Sequence, residues 1–67
     1  MTLGENIRSK RLEYDIEQQE LATRIGVTKA VICTIENGTR TPSVAVLVGI
    51  ADALHCSVDE LLGRKVS

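Results

Sequence analysis

The chain has 67 residues, with eight lysines and arginines against nine aspartates and glutamates, a formal net charge of -1. That length accommodates one domain, 1–67, and the near-neutral balance lacks the broad basic excess usual in nucleic-acid modules. With one tyrosine, no phenylalanine and no tryptophan, the core must be aliphatic. A domain this small hides only about 60% of its unfolded surface, so a partner subunit would help to stabilise it. Cys33 and Cys56 have no metal-ligand spacing. The apolar run 44–51 is too short to span a bilayer. With no signal peptide in the sequence, the expected location is the cytoplasm, with both thiols reduced.

Thr2 and Glu5 have capping-box spacing, which starts a first helix near Leu3. Leu3, Ile7, Arg11 and Tyr14 fall along one stripe, with Leu12 on the other side. Asp15 occupies the following turn, where aspartate tolerates left-handed geometry less well than glycine. Glu17 is a poor N-cap for the next helix, although its charge suits a helix N-terminus.

The segment 18–38 reads as two short helices meeting at a sharp turn, the arrangement that presents a second helix to the DNA major groove. At about 100° per residue, Leu21, Ala22 and Ile25 share one face. Gly26 supplies the positive φ of a tight helix exit, Val27 is a buried plug, and Thr28 caps the next helix. In that helix Val31, Ile32 and Ile35 face inward. Lys29, Ala30, Cys33, Thr34 and Asn37 gather on the opposite stripe. Ala22 lies where the two helices cross, and a larger side chain would force them apart.

After Gly38 a loop runs through Arg40 and Pro42 to Ser43, the N-cap of a fourth helix. The alternation of Val44, Val46 and Val48 would suit a strand, but length and the preceding Pro-Ser favour helix. Its expected core side is Val44, Leu47, Val48, Ala51 and Leu54. The opposite face carries Ala45, Val46, Gly49 and Ala53, a smooth strip that another helix can approach closely. Gly49 costs about 1 kcal/mol relative to alanine there, and close packing against a second copy is one reason to accept that cost. His55 ends the helix, where it interacts favourably with the dipole. Ser57 to Glu60 has the spacing of a second capping box, opening a fifth helix that stops at Gly63. The tail 64–67 is expected to fray.

Gln18, Leu21-Ala22, Gly26-Val27-Thr28, Ile32, Ile35-Glu36-Asn37-Gly38 and Pro42-Ser43 stand at the joint spacing of the lambda-repressor-like helix-turn-helix family, the Cro/repressor type, which this chain resembles from position 3 to about 62. The resemblance implies an all-α, five-helix domain whose helix-turn-helix is formed by the second and third helices. It assigns base readout to Lys29, Ala30, Cys33 and Thr34, and phosphate contacts to Gln18, Asn37 and Arg40, with the Thr28 hydroxyl available beside them. Arg11 and Glu36 match positions that form a largely buried salt bridge orienting the recognition helix. The chain departs from the family at Asp15 and His55, where glycine is usual, at Glu17, where serine or threonine caps, and at Cys56, which replaces valine and should be buried.

The chemistry of these side chains fits. Lys29 can donate to guanine O6 or N7, Ala30 suits a thymine methyl, and Thr34 can bond a base edge or a phosphate. The stripe has no Gln, Asn or Arg at its centre, so DNA shape contributes to recognition. Arg40 also reads as an ordinary loop arginine, and the stripe as a plain solvated face. No acid or nucleophile partners the single histidine, and no phosphate-cradling glycine loop is present. The expectation is therefore a non-enzymatic regulator without cofactor or metal, a homodimer on a palindromic site in double-stranded DNA. It would repress by occupying promoter DNA, blocking or touching RNA polymerase. The alternative is a protein-interaction module of the same fold, such as the antitoxin partner of a toxin.

Overall fold

Short polar side chains set where the helices begin. The structure, a computed structural model, describes residues 2–63, so the expected fraying of 64–67 lies outside them. Five helices follow one another: α1 (Leu3–Glu13), α2 (Gln18–Ile25), α3 (Lys29–Asn37), α4 (Val44–Ala53) and α5 (Val58–Leu62). Thr2 and Glu5 form the reciprocal capping box, with the Glu5 amide donating to Thr2 Oγ1 at 3.2 Å and the Thr2 amide to Glu5 Oε1 at 3.0 Å. Thr28, Ser43 and Ser57 cap α3, α4 and α5 through single hydroxyl acceptors. The box expected at Ser57 is only half made. Glu60 turns its carboxylate to Lys10 Nζ at 3.4 Å instead, tying α5 to α1. Glu17 makes no side-chain cap, as glutamate's length predicts.

Two corners are left-handed without glycine, Asp15 at φ 55° and His55 at φ 52°. Such a residue costs on the order of 1–3 kcal/mol. Both corners are held by the same closure, a backbone hydrogen bond reaching back five residues: Ile16 to Arg11 and Cys56 to Ala51, each 3.0 Å. Tyr14 caps α1 and meets His55 edge to face, with ring centroids 5.7 Å apart. It therefore stands outside the core stripe predicted for it.

Ile7, Ile16, Leu21, Ala22, Ile32, Ile35, Ile50, Ala51, Leu54 and Leu61 form the core. The expected core side of α4 needs correction. Val44 is 78% and Val48 42% exposed, whereas Ile50 is fully buried. Helix α4 leans on α2 and α5, which turns Val46, Leu47, Ile50, Ala51 and Leu54 inward. An apolar helix carries no polar face to mark its outside, so its sequence alone leaves the rotation open. Gly49 faces Ile25, where a Cβ would lie 3.4 Å from the isoleucine methyl. The smooth strip thus already serves α2 within the chain, with Ala45 its exposed member.

Sequence reading overlooked Gly4. A Cβ there would stand 2.5 Å from the carbonyl oxygens of both Ile35 and Glu36, so α1 passes against the end of α3 backbone to backbone. Asn6 Nδ2 donates to the Leu61 carbonyl at 2.9 Å and secures the end of α5 on α1.

The two helical glycines predict opposite outcomes for one substitution. Gly4→Ala drives a methyl into two carbonyls that cannot yield, and should lower unfolding stability by about 1–3 kcal/mol. Gly49→Ala meets only an ordinary contact, and should raise it by up to about 1 kcal/mol. Urea denaturation of the two variants beside the parent chain measures both signs.

Candidate nucleic-acid interface

An α-helix with its side chains is about 10–12 Å across, which fits the roughly 12 Å width of the B-DNA major groove. Helix α3 has nine residues. Ile32 and Ile35 anchor its inner side, and Ala22 is fully buried beneath it. Gly26 at φ 78° turns the chain between α2 and α3, and Thr28 Oγ1 accepts the Val31 amide at 3.3 Å to start α3. The outer stripe is formed as expected: Lys29, Ala30 and Asn37 are exposed, Cys33 and Thr34 half-buried. Two of these side chains are already engaged. Thr34 donates to the Val31 carbonyl at 2.8 Å, so its hydroxyl is left to act as an acceptor, and Asn37 Nδ2 lies 3.6 Å from Cys33 Sγ.

Placement of charge resolves the apparent conflict with a net charge of -1. Lys10 lies between Glu13 and Glu60, Arg11 pairs with Glu36, and Arg24 with Glu20 at 2.6 Å. Among the described residues Arg8, Lys29 and Arg40 have no carboxylate within 4.0 Å. Lys29 begins α3 and Arg40 follows its end. The only acid of α3, Glu36, is neutralised on the inner side. Lys29 and Arg40 thus leave positive charge at both ends of the outer stripe, reduced near Lys29 by Glu17.

Helix α2 contributes its own end. The first amides of a helix lack intrahelical acceptors, and Glu17 supplies no side-chain acceptor to those of α2. The Leu21 amide is the first to find one, the Glu17 carbonyl at 3.0 Å. Uncapped helix amides are a ready seat for an anionic oxygen. Gln18, Gln19 and Lys29 line the depression there, with Arg11 at its base and Glu17 subtracting some of its positive character.

Behind the stripe, Arg11 and Glu36 form the expected ion pair. Arg11 Nε donates to Glu36 Oε2 at 2.8 Å and Nη2 to Oε1 at 3.1 Å. The side chains are only 9% and 4% exposed. The remaining Arg11 nitrogen, Nη1, donates to the Ile16 carbonyl at 2.9 Å. Sequence reading missed one member: Gln18 Nε2 also donates to Glu36 Oε1, at 3.1 Å. No sequence signal links positions 18 and 36, because their meeting depends on the angle between α2 and α3.

Cys56 is half-buried rather than buried. Burial pushes its thiol above the usual value, and the Glu60 carboxylate adds to the shift. Among the described residues no group of three His, Cys, Asp or Glu side chains is placed to hold a metal. No described helix is long and apolar enough to cross a membrane.

A family model described as helix-turn-helix matches residues 7–61. The transcriptional repressor RstR of the cryptic phage CTXphi from Vibrio cholerae is 36% identical over 64 residues, covering 96% of this chain and 57% of that protein. The control protein C.SmaI of Serratia marcescens is 35% identical, with 94% and 75% covered. Among solved structures, the P22 c2 repressor bound to a synthetic operator superposes with a TM-score of 0.91 at 32% identity, over 97% of this chain and 98% of that one. The chain thus spans little more than half the length of the Vibrio repressor.

The buried pair predicts an asymmetry in stability. Glu36→Ala strands the Arg11 charge and should cost about 3–5 kcal/mol. Replacing both partners, Arg11→Met with Glu36→Leu, strands no charge and should cost clearly less, although the Ile16 carbonyl loses its donor. Thermal and urea unfolding of the two proteins gives the comparison.

Proposed function

Since the chain belongs to the lambda-repressor-like helix-turn-helix family, we propose that it is a sequence-specific, double-stranded DNA-binding regulator of transcription that lays α3 in the major groove. The observation that carries this reading is that Lys29 and Arg40, at the two ends of a helix whose outer stripe carries no acid, have no carboxylate within 4.0 Å among the described residues. Lys29, Ala30, Cys33 and Thr34 face base edges, with Lys29 the donor to guanine. Gln18 at the α2 N-terminus, with Thr28, Asn37 and Arg40, grips phosphates on either side and fixes register without reading sequence. The similarity to phage repressors supports repression by occupancy of promoter DNA, in the cytoplasm, with RNA polymerase excluded or contacted. No catalytic step, cofactor or metal belongs to this reading.

Nine helical residues and these two cations make a small footprint, so useful specificity requires two copies. The reading is of a homodimer whose recognition helices lie about 34–36 Å apart on a palindromic operator. The proposed contact is the exposed Ala45, with Val46, Gly49 and Ala53, which pack within the chain, reached only where they line the groove shared with Arg24, Ile25 and Asp52. A second reading, a protein-interaction module such as an antitoxin, draws on the exposed apolar Val44 and Val48.

Selection of sites from random duplexes should return a two-fold symmetric consensus. Lys29→Ala should relax one position in each half, at a cost of about 1–3 kcal/mol. Arg40→Ala should weaken all sites alike and lower the salt dependence of the dimer by about 1.8 in log–log slope, about 0.9 for each copy. Ala45→Glu should weaken self-association in sedimentation; an unchanged association constant removes this strip from the interface.

A further inference from the structure

Glu36 has one more partner than a simple ion pair requires. Its Oε1 receives both Arg11 Nη2 and Gln18 Nε2, each at 3.1 Å. The carboxylate is almost inaccessible, and the guanidinium against it is tied to the Ile16 carbonyl. Gln18, the first residue of α2, is half-buried and adjoins the uncapped amides of that helix. From this geometry we infer that Glu36 is a positioning residue for DNA binding, holding the Gln18 side chain in the orientation in which it meets the phosphate.

The physical reason is directional. A carboxylate facing a guanidinium offers only lone pairs, so the Gln18 amide must turn its NH2 group toward it. One N–H is spent on Glu36. The second N–H remains for an acceptor beyond the protein, beside the free amides of α2. A glutamine without that tether rotates about three torsions and presents its carbonyl as readily as its NH2. The carbonyl is an acceptor, and repels a phosphate oxygen. Arg11 completes the device by neutralising Glu36, so that the carboxylate does not repel the phosphate it helps to bind. Ordering a long side chain on association costs on the order of 0.5–1.5 kcal/mol, which corresponds to about 2–12-fold in affinity. Holding Gln18 in place beforehand removes that cost.

This inference rests on the DNA-binding reading, and its test separates the two. In the free protein, nitrogen relaxation of the Gln18 side-chain NH2 should give an order parameter near the backbone value of about 0.85, and a value below about 0.6 overturns the tether. With a duplex carrying the selected symmetric site, Arg11→Met/Glu36→Leu should bind more weakly than the parent by about 2–12-fold for each half-site engaged. Its salt slope should be unchanged, because one positive and one negative charge are removed together. Adding Gln18→Ala to that variant should then have less effect than Gln18→Ala in the parent. An equal loss in both backgrounds shows that Glu36 does not position Gln18. If the double variant does not melt cooperatively, the order parameter alone decides. A parent chain that selects no duplex defeats the DNA-binding reading, while the order parameter still decides whether Glu36 holds Gln18.

Discussion

A guanidinium and a carboxylate hold the crossing of α1 and α3 together, through bonds of 2.8 and 3.1 Å in a setting that excludes most water. The pair joins α1 to the inner side of α3, behind the residues that α3 presents to the outside. Burying two charges is costly, and an apolar pair of similar volume stabilises comparably or better. What an apolar pair cannot supply is direction. The forked guanidinium admits few orientations of its partner, and it spends its third nitrogen on the Ile16 carbonyl at the corner leading into α2. One side chain thus reaches α1, α3 and the α1–α2 turn at once. In a domain with so small a core, such an orienting contact complements apolar packing, which is non-directional.

The close approach at Gly4 belongs to the same joint. The carbonyls of Ile35 and Glu36 lie where the Cβ of any other residue would stand, so α1 can press on the end of α3 only because that position lacks a side chain. Ion pair and glycine act on successive parts of α1. The first fixes direction, and the second permits the distance. Ala22 does the equivalent for α2 beneath α3. Small residues at both crossings leave α3 seated deep on its inner side, with its outer stripe clear.

Charge in this molecule is a matter of position rather than sum. Three of the six cations between positions 8 and 40 are held by carboxylates, while Lys29 and Arg40, at the ends of α3, have none within 4.0 Å among the described residues. Over a screening length of about 8 Å at physiological salt, a phosphate at either end of α3 responds chiefly to the nearby cation and little to acids on the far side. A net charge of -1 is therefore compatible with a locally cationic face.

The helices, their caps and both turns flanking α3 were legible in the sequence. These are local matters of a hydroxyl before an apolar period, a glycine at a helix exit, and a period of about 100°. The outer stripe was equally legible, since it is the complement of Val31, Ile32 and Ile35 on one helix, and the Arg11–Glu36 pair followed from resemblance to a family. Only the tertiary structure decided the rest. The rotation of α4 came from its fit against Ile25 and α5, because a helix apolar all round offers several faces for burial, and Ile50 rather than Val44 or Val48 filled the core. The role of Gly4, the Lys10–Glu60 tie and the Gln18–Glu36 bond came from the same source. Each joins residues far apart in the chain, and a distance across a helix crossing is set by packing, which no local pattern of residues records.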